Sequence, residues 1–191
     1  MADDTRQRLI AEARDQYLAH GLESLSLREV ARRVGISPAG VYRHFNGRDA
    51  LLDEVCAEGF RVFGSYLVRA LDAKDPRGRL AKSAEMYLRF AIDNPRDYRV
   101  IFMSEKRGDR DRPPTPGPTF QFLVDRVREC IDAGVLRKGD PVEIAVIVWS
   151  HVHGLVSLRL CGQLERVGDA RAFDKFYRRA VDDLVVGLGG Q

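Results

Sequence analysis

Apolar residues at Leu27, Val30, Ala31 and Val34 recur at i, i+3, i+4 and i+7, one face of a helix at 3.6 residues per turn. Ser26 precedes the run and Glu29 follows three residues on. This is the spacing of a capping box, in which the hydroxyl accepts from an early N–H and the carboxylate reaches back to the cap N–H. Gly35 ends the pattern, since glycine takes the left-handed conformation after a helix C-terminus at least cost, and Ile36 can pack in the angle. Ser37 can cap a second helix with Pro38 in its first turn, and Val41 and Phe45 then face inward one turn apart. Two helices joined so tightly cross steeply, and the second can enter a DNA major groove while the first spans the backbone.

Helical periods continue beyond this motif. A helix beginning at Asp49 and running to about Leu71 is lined by Leu51, Leu52, Val55, Phe60, Phe63, Leu67 and Leu71, and joins the N-terminal segment to the rest. Asp75-Pro76 and Asn94-Pro95 open two amphipathic helices, the first containing Leu80, Ala84, Tyr87, Leu88 and Ala91, the second Tyr98, Ile101, Phe102 and Met103. Phe120, Leu123, Val124, Val127, Cys130 and Ile131 mark another, ended by Gly134. Asp140-Pro141-Val142-Glu143 then starts the next with an Asp cap, Pro at the first position and Glu at the third. From Ile144 to Trp149 this helix is unbroken apolar sequence, and Val152, Leu155, Val156, Leu158 and Leu160 extend it nearly all round. Such a helix must be buried on several sides, inside a large core or against another subunit. The last helix carries a second wide stripe through Val181 and Val185.

Strand signals are nearly absent, with no extended alternating run bounded by Asn-Gly or Asp-Gly turns. The expected fold is all-α with about nine helices: a three-helix helix-turn-helix domain over residues 1–48, then a helical effector-binding and dimerisation domain over 49–191. Residues 105–118, EKRGDRDRPPTPGP, hold four of the eight prolines and almost no apolar side chain. They read as a loop, either a mobile connection or a lid over a ligand entrance.

At 191 residues and 45% hydrophobic, the chain can supply a small domain plus a larger one. Arg28, Arg32, Arg33, Arg43 and Arg48 against Glu29 give the helix-turn-helix window a charge of +4, whereas residues 1–60 as a whole carry −2. The basic signal is local and argues for a docking face over a general nucleic-acid coat; the alternative is solvated arginine faces. With no apolar leader after Met-Ala-Asp-Asp and no run near 18 continuous apolar residues, the expectation is a cytoplasmic protein without a membrane span. Cys56, Cys130 and Cys161 are odd in number and widely separated, suggesting buried or half-buried thiols and neither a disulfide framework nor a zinc site; redox sensing is the alternative.

With its flanks, the motif resembles the DNA-binding domain of the tetracycline-repressor-like (TetR) family of one-component regulators. The resemblance covers residues 5 to 56: a first helix from about Thr5 to His20 ended by Gly21, Leu25-Ser26, Gly35-Ile36-Ser37, Val41-Tyr42-Arg43-His44-Phe45 and Asp49-Ala50-Leu51-Leu52. It implies phosphate contacts from Tyr42, His44 and Arg48, with Arg48 where the family commonly has Lys, and base readers among Arg28, Ser37, Ala39 and Arg43. Ala39 and Gly40 carry no side-chain donor or acceptor, so discrimination leans on Arg43, Arg28, Tyr42 and a thymine methyl against Ala39. Gly40 costs about 1 kcal/mol of helix propensity, which suggests that it permits close approach to the DNA backbone.

Trp149-Ser150-His151-Val152-His153-Gly154, with Asn94-Pro95 through Tyr98 to Phe102, is similar to a TetR subgroup named for Trp, His and Gly in its C-terminal domain. The family resemblance implies that the last two helices pair across a two-fold axis as a four-helix interface. Expected there are Gly154, Ser157, Leu158, Cys161, Phe173, Phe176, Tyr177, Ala180 and Leu184, although small residues inside one subunit would read the same. Tyr87, Phe90, Phe102, Met103, Phe120, Leu123, Trp149 and His153 are aromatic or soft groups suited to an apolar or aromatic effector; ordinary core is the competing reading. For Trp149 and His153, one turn apart, a core Trp beside a hydrogen-bonded His is preferred over direct ligand contact.

Enzyme signatures are missing: the chain has no glycine-rich phosphate loop, GxSxG, CxxC or HExxH. His151 and His153 point to different sides of a helix and make no metal pair. No cofactor is expected. The function expected is that of a homodimeric, ligand-responsive repressor on a near-palindromic operator, with recognition helices in successive major grooves roughly 34 to 36 Å apart. A small-molecule effector would weaken DNA binding by altering the tilt of the helix that starts at Asp49. Repressor and activator share these residues. A ligand-binding or adaptor bundle without DNA function is the alternative, and the set Arg28, Tyr42, His44 and Arg48 speaks against it.

Overall fold

The computed structural model describes residues 2–21, 25–103 and 117–189, and among these it is all-helical. Nine α-helices follow in order: α1 (Ala2–His20), α2 (Leu27–Val34), α3 (Pro38–Tyr42), α4 (Arg48–Leu67), α5 (Pro76–Asp93), α6 (Pro95–Phe102), α7 (Pro118–Asp132), α8 (Pro141–Leu160) and α9 (Ala170–Gly187). Apart from Gly117 and Pro118, the segment read as a loop or lid lies outside the described residues. The joining helix is shorter than its apolar pattern suggests. After Leu67 the chain tightens into a 3₁₀ turn over Val68–Asp72, and Leu71, at the end of the predicted stripe, is exposed.

The chain forms two compact units, one of Met1–Val62 with Arg96–Arg107, the other of Phe63–Pro95 with Gly108–Gln191. In the first, Leu9, Val30, Val41, Leu51, Val55 and Tyr98 are all but completely buried. From Arg96 onward α6 belongs to this unit although it lies far along the sequence, and two ion pairs tie it to α1. Arg14 Nη1 lies 2.8 Å from Asp97 Oδ1, and Arg96 Nη1 lies 2.9 Å from Asp15 Oδ1.

The second unit packs α5, α7, α8 and α9 around Leu80, Val127, Cys130, Ile144, Ala145 and Val185. Three of its helices, α5, α8 and α9, start on aspartate caps: Asp75, Asp140 and Asp169 each accept a backbone N–H at 2.8 Å, from Gly78, Val142 and Ala172. Cys130 is buried, and burial pushes its thiol up to about 11. Cys56 is half-buried. Cys161 departs from the expectation of covered thiols, since it caps the exposed end of α8.

α8 is also longer in apolar content than a count of continuous residues suggests. Its most apolar 18 residues have a mean hydropathy of 1.4, long and apolar enough to cross a membrane. Ser150, His151 and His153 break the run without lowering the average far. The helix packs against α5, α7 and α9, yet Val142, Val146, Ile147 and Leu158 stay exposed in the single chain.

Candidate nucleic-acid interface

Ser26 caps α2 as its spacing predicts, its Oγ accepting from the Glu29 N–H at 3.4 Å. Only half of the capping box forms, because the Glu29 carboxylate turns to the arginines one turn along. Arg32 donates to it through Nε at 2.8 Å and Nη2 at 2.5 Å, and Arg33 Nε donates at 2.9 Å. The Arg32 and Arg33 guanidiniums hold the carboxyl well below the usual carboxylate range, at about 2. A forked, charge-assisted pair outcompetes a single neutral N–H for the same oxygens.

Gly35 takes φ +80°, and its N–H and that of Ile36 close on Arg32 O at 3.2 Å and Ala31 O at 3.0 Å, the double closure of a Schellman turn. Ser37 then caps α3, its Oγ accepting from the Gly40 N–H at 3.1 Å, with its own hydroxyl hydrogen still available to donate. α3 is short, and further turns carry the chain through His44 and Phe45, whose N–H groups both donate to Val41 O. Val41 and Phe45 are buried, which turns Ala39, Tyr42 and Arg43 outward; Tyr42 is 61% exposed. Arg28 is exposed on α2, while His44 and Arg48 are half-buried. Arg28, Ala39, Tyr42 and Arg43, all expected to face DNA, are thus outward, and a shallow concavity of about 490 Å³ beside α3 is lined by Tyr42, Arg43, His44 and Asn46 together with Arg6 and Glu54.

Gly40 has an internal reason for lacking a side chain. It is buried, and a Cβ there would sit 3.3 Å from Ile36 Cδ1, so packing in the turn accounts for it without DNA. Two α1 arginines, which counted only as charge in the sequence, brace the motif. Arg8 Nη2 donates to Val34 O at 2.6 Å, and the Arg6 guanidinium lies 5.3 Å from the Phe45 ring centroid while pairing with Glu54. Neither has a sequence signal, because the partners lie 26 or more residues away.

In the second unit the predicted effector residues divide. Phe102 and Met103 fall in the first unit, where Phe102 stacks with Phe60 and Tyr98. Tyr87 and Phe90 are buried, and Phe120 and Leu123 pack on the core. An aromatic ladder runs from Phe120 to Trp149 at 5.9 Å, on to His153 at 5.8 Å and to Tyr87 at 6.5 Å. Both His153 nitrogens have partners, the Tyr87 hydroxyl 2.8 Å from Nδ1 and Ser157 Oγ 3.3 Å from Nε2. His153 is thus half-buried and hydrogen-bonded at both ring nitrogens. A separate groove of about 250 Å³ between α5 and α9 contains none of the predicted effector residues and is rimmed by Arg89–Asp174 and Arg178–Glu85 ion pairs, both 2.9 Å.

Burial lowers the His153 pKa below its ordinary 6.5. Between that lowered value and 6.5 the unfolded chain binds the proton that the fold rejects. His153 therefore leaves stability unaffected above pH 6.5 and reduces it as pH falls below. Urea midpoints at pH 7.5 and 5.5 will show a smaller acid loss for His153→Gln than for wild type; equal losses would contradict the assignment.

The expected dimer residues also separate. Phe173 and Tyr177 are each only 1% exposed, and the Tyr177 hydroxyl donates to Ala84 O at 2.9 Å, so both serve the protomer's own core and offer nothing to a partner. Leu184 packs on that core, and Ser157 is engaged by His153. Leu158 and Cys161 are exposed, Phe176 and Ala180 half-buried, and a Cβ on Gly154 would meet nothing within 4 Å. Val142, Val146 and Ile147, absent from the expected set, extend the exposed apolar face of α8.

A capped helix, a glycine turn and a second helix with polar and basic groups outward define a helix-turn-helix regulatory protein. Residues 9–55 match the family model described as "Bacterial regulatory proteins, tetR family", and residues 80–184 match "Tetracyclin repressor-like, C-terminal domain". The chain belongs to the TetR family. It is 39% identical over 56 residues to the HTH-type transcriptional regulator SrpR of Pseudomonas putida, covering 29% of this chain and 26% of that one. To an HTH-type transcriptional regulator of Haemophilus influenzae it is 27% identical over 131 residues, covering 68% and 64%. The matched segments thus span less than two thirds of these curated relatives' own lengths. Among solved structures, a protein of unknown function from Rhodococcus sp. RHA1 aligns with a TM-score of 0.77 at 28% identity, covering 97% of this chain and 95% of that one. A TetR family transcription regulator from Marinobacter aquaeolei VT8 shares the fold, with a TM-score of 0.75 at 19% identity and coverage of 99% and 97%.

Proposed function

We propose that this protein is a transcriptional repressor that binds a near-palindromic operator as a homodimer and releases it when a small molecule occupies the second unit. The observation that carries the reading is the outward face of α2 and α3, where Arg28, Tyr42 and Arg43 are exposed while Val41 and Phe45 are committed to the core. Tyr42, His44 and Arg48 take the phosphates; Arg43, Arg28, Ser37 and Ala39 read bases. The protein works in the cytoplasm, beside the DNA it reads. Selection from a random duplex library is expected to enrich inverted half-sites with centres one helical turn, about 10 base pairs, apart or a multiple of it. A selected pool with no inverted symmetry would overturn the reading.

Dimerisation through α8 and α9 supplies the two-fold axis, with Val146, Ile147, Gly154, Leu158, Phe176 and Ala180 facing the partner. An apolar face of this kind on α8 needs a cover. Leu158→Glu, on a side chain 44% exposed in the protomer, is expected to leave the helical content intact and shift sedimentation from dimer to monomer. A variant that sediments as wild type would remove α8 from the interface. The effector is an apolar or aromatic molecule meeting Trp149, Phe120 and Leu123, three of the half-buried members of the expected set. Its differential affinity for two settings of α4, which runs from the second unit into the first, couples it to DNA release. The Trp-His-Gly subgroup belongs to this proposal.

A further inference from the structure

α2 carries three arginines and one acid, yet the three are not equivalent. Arg32 is held in a two-pronged pair by Glu29, and Arg33 is shared between Glu29 at 2.9 Å and Glu12 of α1 at 3.4 Å. Glu12 in turn accepts from Gln16 Nε2 at 3.1 Å. The cluster Glu12, Glu29, Arg32 and Arg33 is therefore neutral. Arg28 and Arg43 make no ion pair among the described residues. Both clustered arginines remain largely open to solvent, with side chains 71% and 51% exposed, so only their acidic partners keep them from a nearby phosphate.

We propose that Glu29 is an affinity-setting residue: by holding Arg32 and Arg33 it limits the number of arginines that act as phosphate counterions and keeps sequence-independent DNA affinity low. This rests on the DNA-binding reading above. Phosphate contacts raise affinity for every sequence alike, whereas base contacts discriminate, so masking two α2 arginines lowers the sequence-independent contribution that operator and other DNA share. Glu29 need not touch DNA to do this. It is a positioning residue acting through the guanidiniums, and it withholds two of the motif's five arginines from the phosphates.

The test is fluorescence anisotropy of full-length protein on two duplexes, one selected by the wild type from a random library and one shuffled, across a salt series. Glu29→Gln keeps the side-chain length and leaves the Ser26 cap, which uses the residue 29 backbone N–H. If Arg32 then finds a phosphate in each protomer of a dimer, the slope of log affinity against log salt steepens by about 1.8, and affinity for shuffled DNA rises roughly tenfold or more near 0.1 M salt. Operator affinity rises no more than shuffled, so selectivity does not improve. Arg32→Gln with Arg33→Gln is expected to leave wild-type affinity and slope unchanged, and to return the Glu29→Gln slope to the wild-type value. An unchanged slope in folded Glu29→Gln overturns the inference, as does loss of affinity from the double arginine variant in the otherwise wild-type protein. Failure of wild type itself to prefer the selected duplex would instead remove the regulator reading, and this inference with it.

Discussion

Replacing Tyr42 with Phe and Arg48 with Gln together is expected to weaken operator binding by at least about 100-fold while leaving the order of preferred sequences unchanged. A hydrogen bond to a charged group contributes about 1.5–3 kcal/mol, and a dimer loses each contact twice. Loss of one arginine–phosphate pair per protomer also lowers the salt slope by about 1.8. Tyr42 projects into solvent, so its hydroxyl can be removed at little cost to the fold; Arg48, half-buried at the start of α4, requires a thermal melt alongside. Arg43→Ala provides the contrast, since a base reader lost should relax preference at its own position by about 1–3 kcal/mol. Retained affinity in the folded double variant would show that the phosphates are held by other groups.

Phe90→Ala is expected to cost about 3–5 kcal/mol of stability, read as a fall in the urea midpoint. The Phe90 side chain is completely buried, with ring centroids at 5.0 Å to Phe63 and 5.8 Å to Tyr66. A loss of that size is a large fraction of a typical domain's 5–15 kcal/mol. The variant also separates the two readings of Phe90. A core ring leaves a cavity and unfolds the protein earlier, whereas a ring lining an open effector site costs well under 2 kcal/mol and alters ligand affinity instead.

The helices were legible because their signals are local. Gly35 and Ser37 sit within a few residues of the groups they terminate or cap, and Asp75, Asp140 and Asp169 act on N–H groups two or three positions away. What stayed hidden depends on distance through the fold. Glu29 had two possible uses in the sequence, and only the rotamers of Arg32 and Arg33 decide between them. Phe173 and Tyr177 fit an outer stripe by period alone, but the direction of that stripe is set by α5, where Ala84 O receives the tyrosine hydroxyl. Phe102 shares its aromatic character with Tyr87 and Phe90, yet its helix joins another unit through Asp97 and Arg14. Apolar composition likewise cannot say whether α8 faces core, partner or lipid.

The most direct measurement is anisotropy of wild-type protein on its selected duplex and on a shuffled duplex between about 50 and 200 mM salt. The account predicts a preference of about 10³-fold or more for the selected sequence, with affinity for both falling steeply as salt rises. Equal, weak binding to the two duplexes at every salt concentration would contradict it.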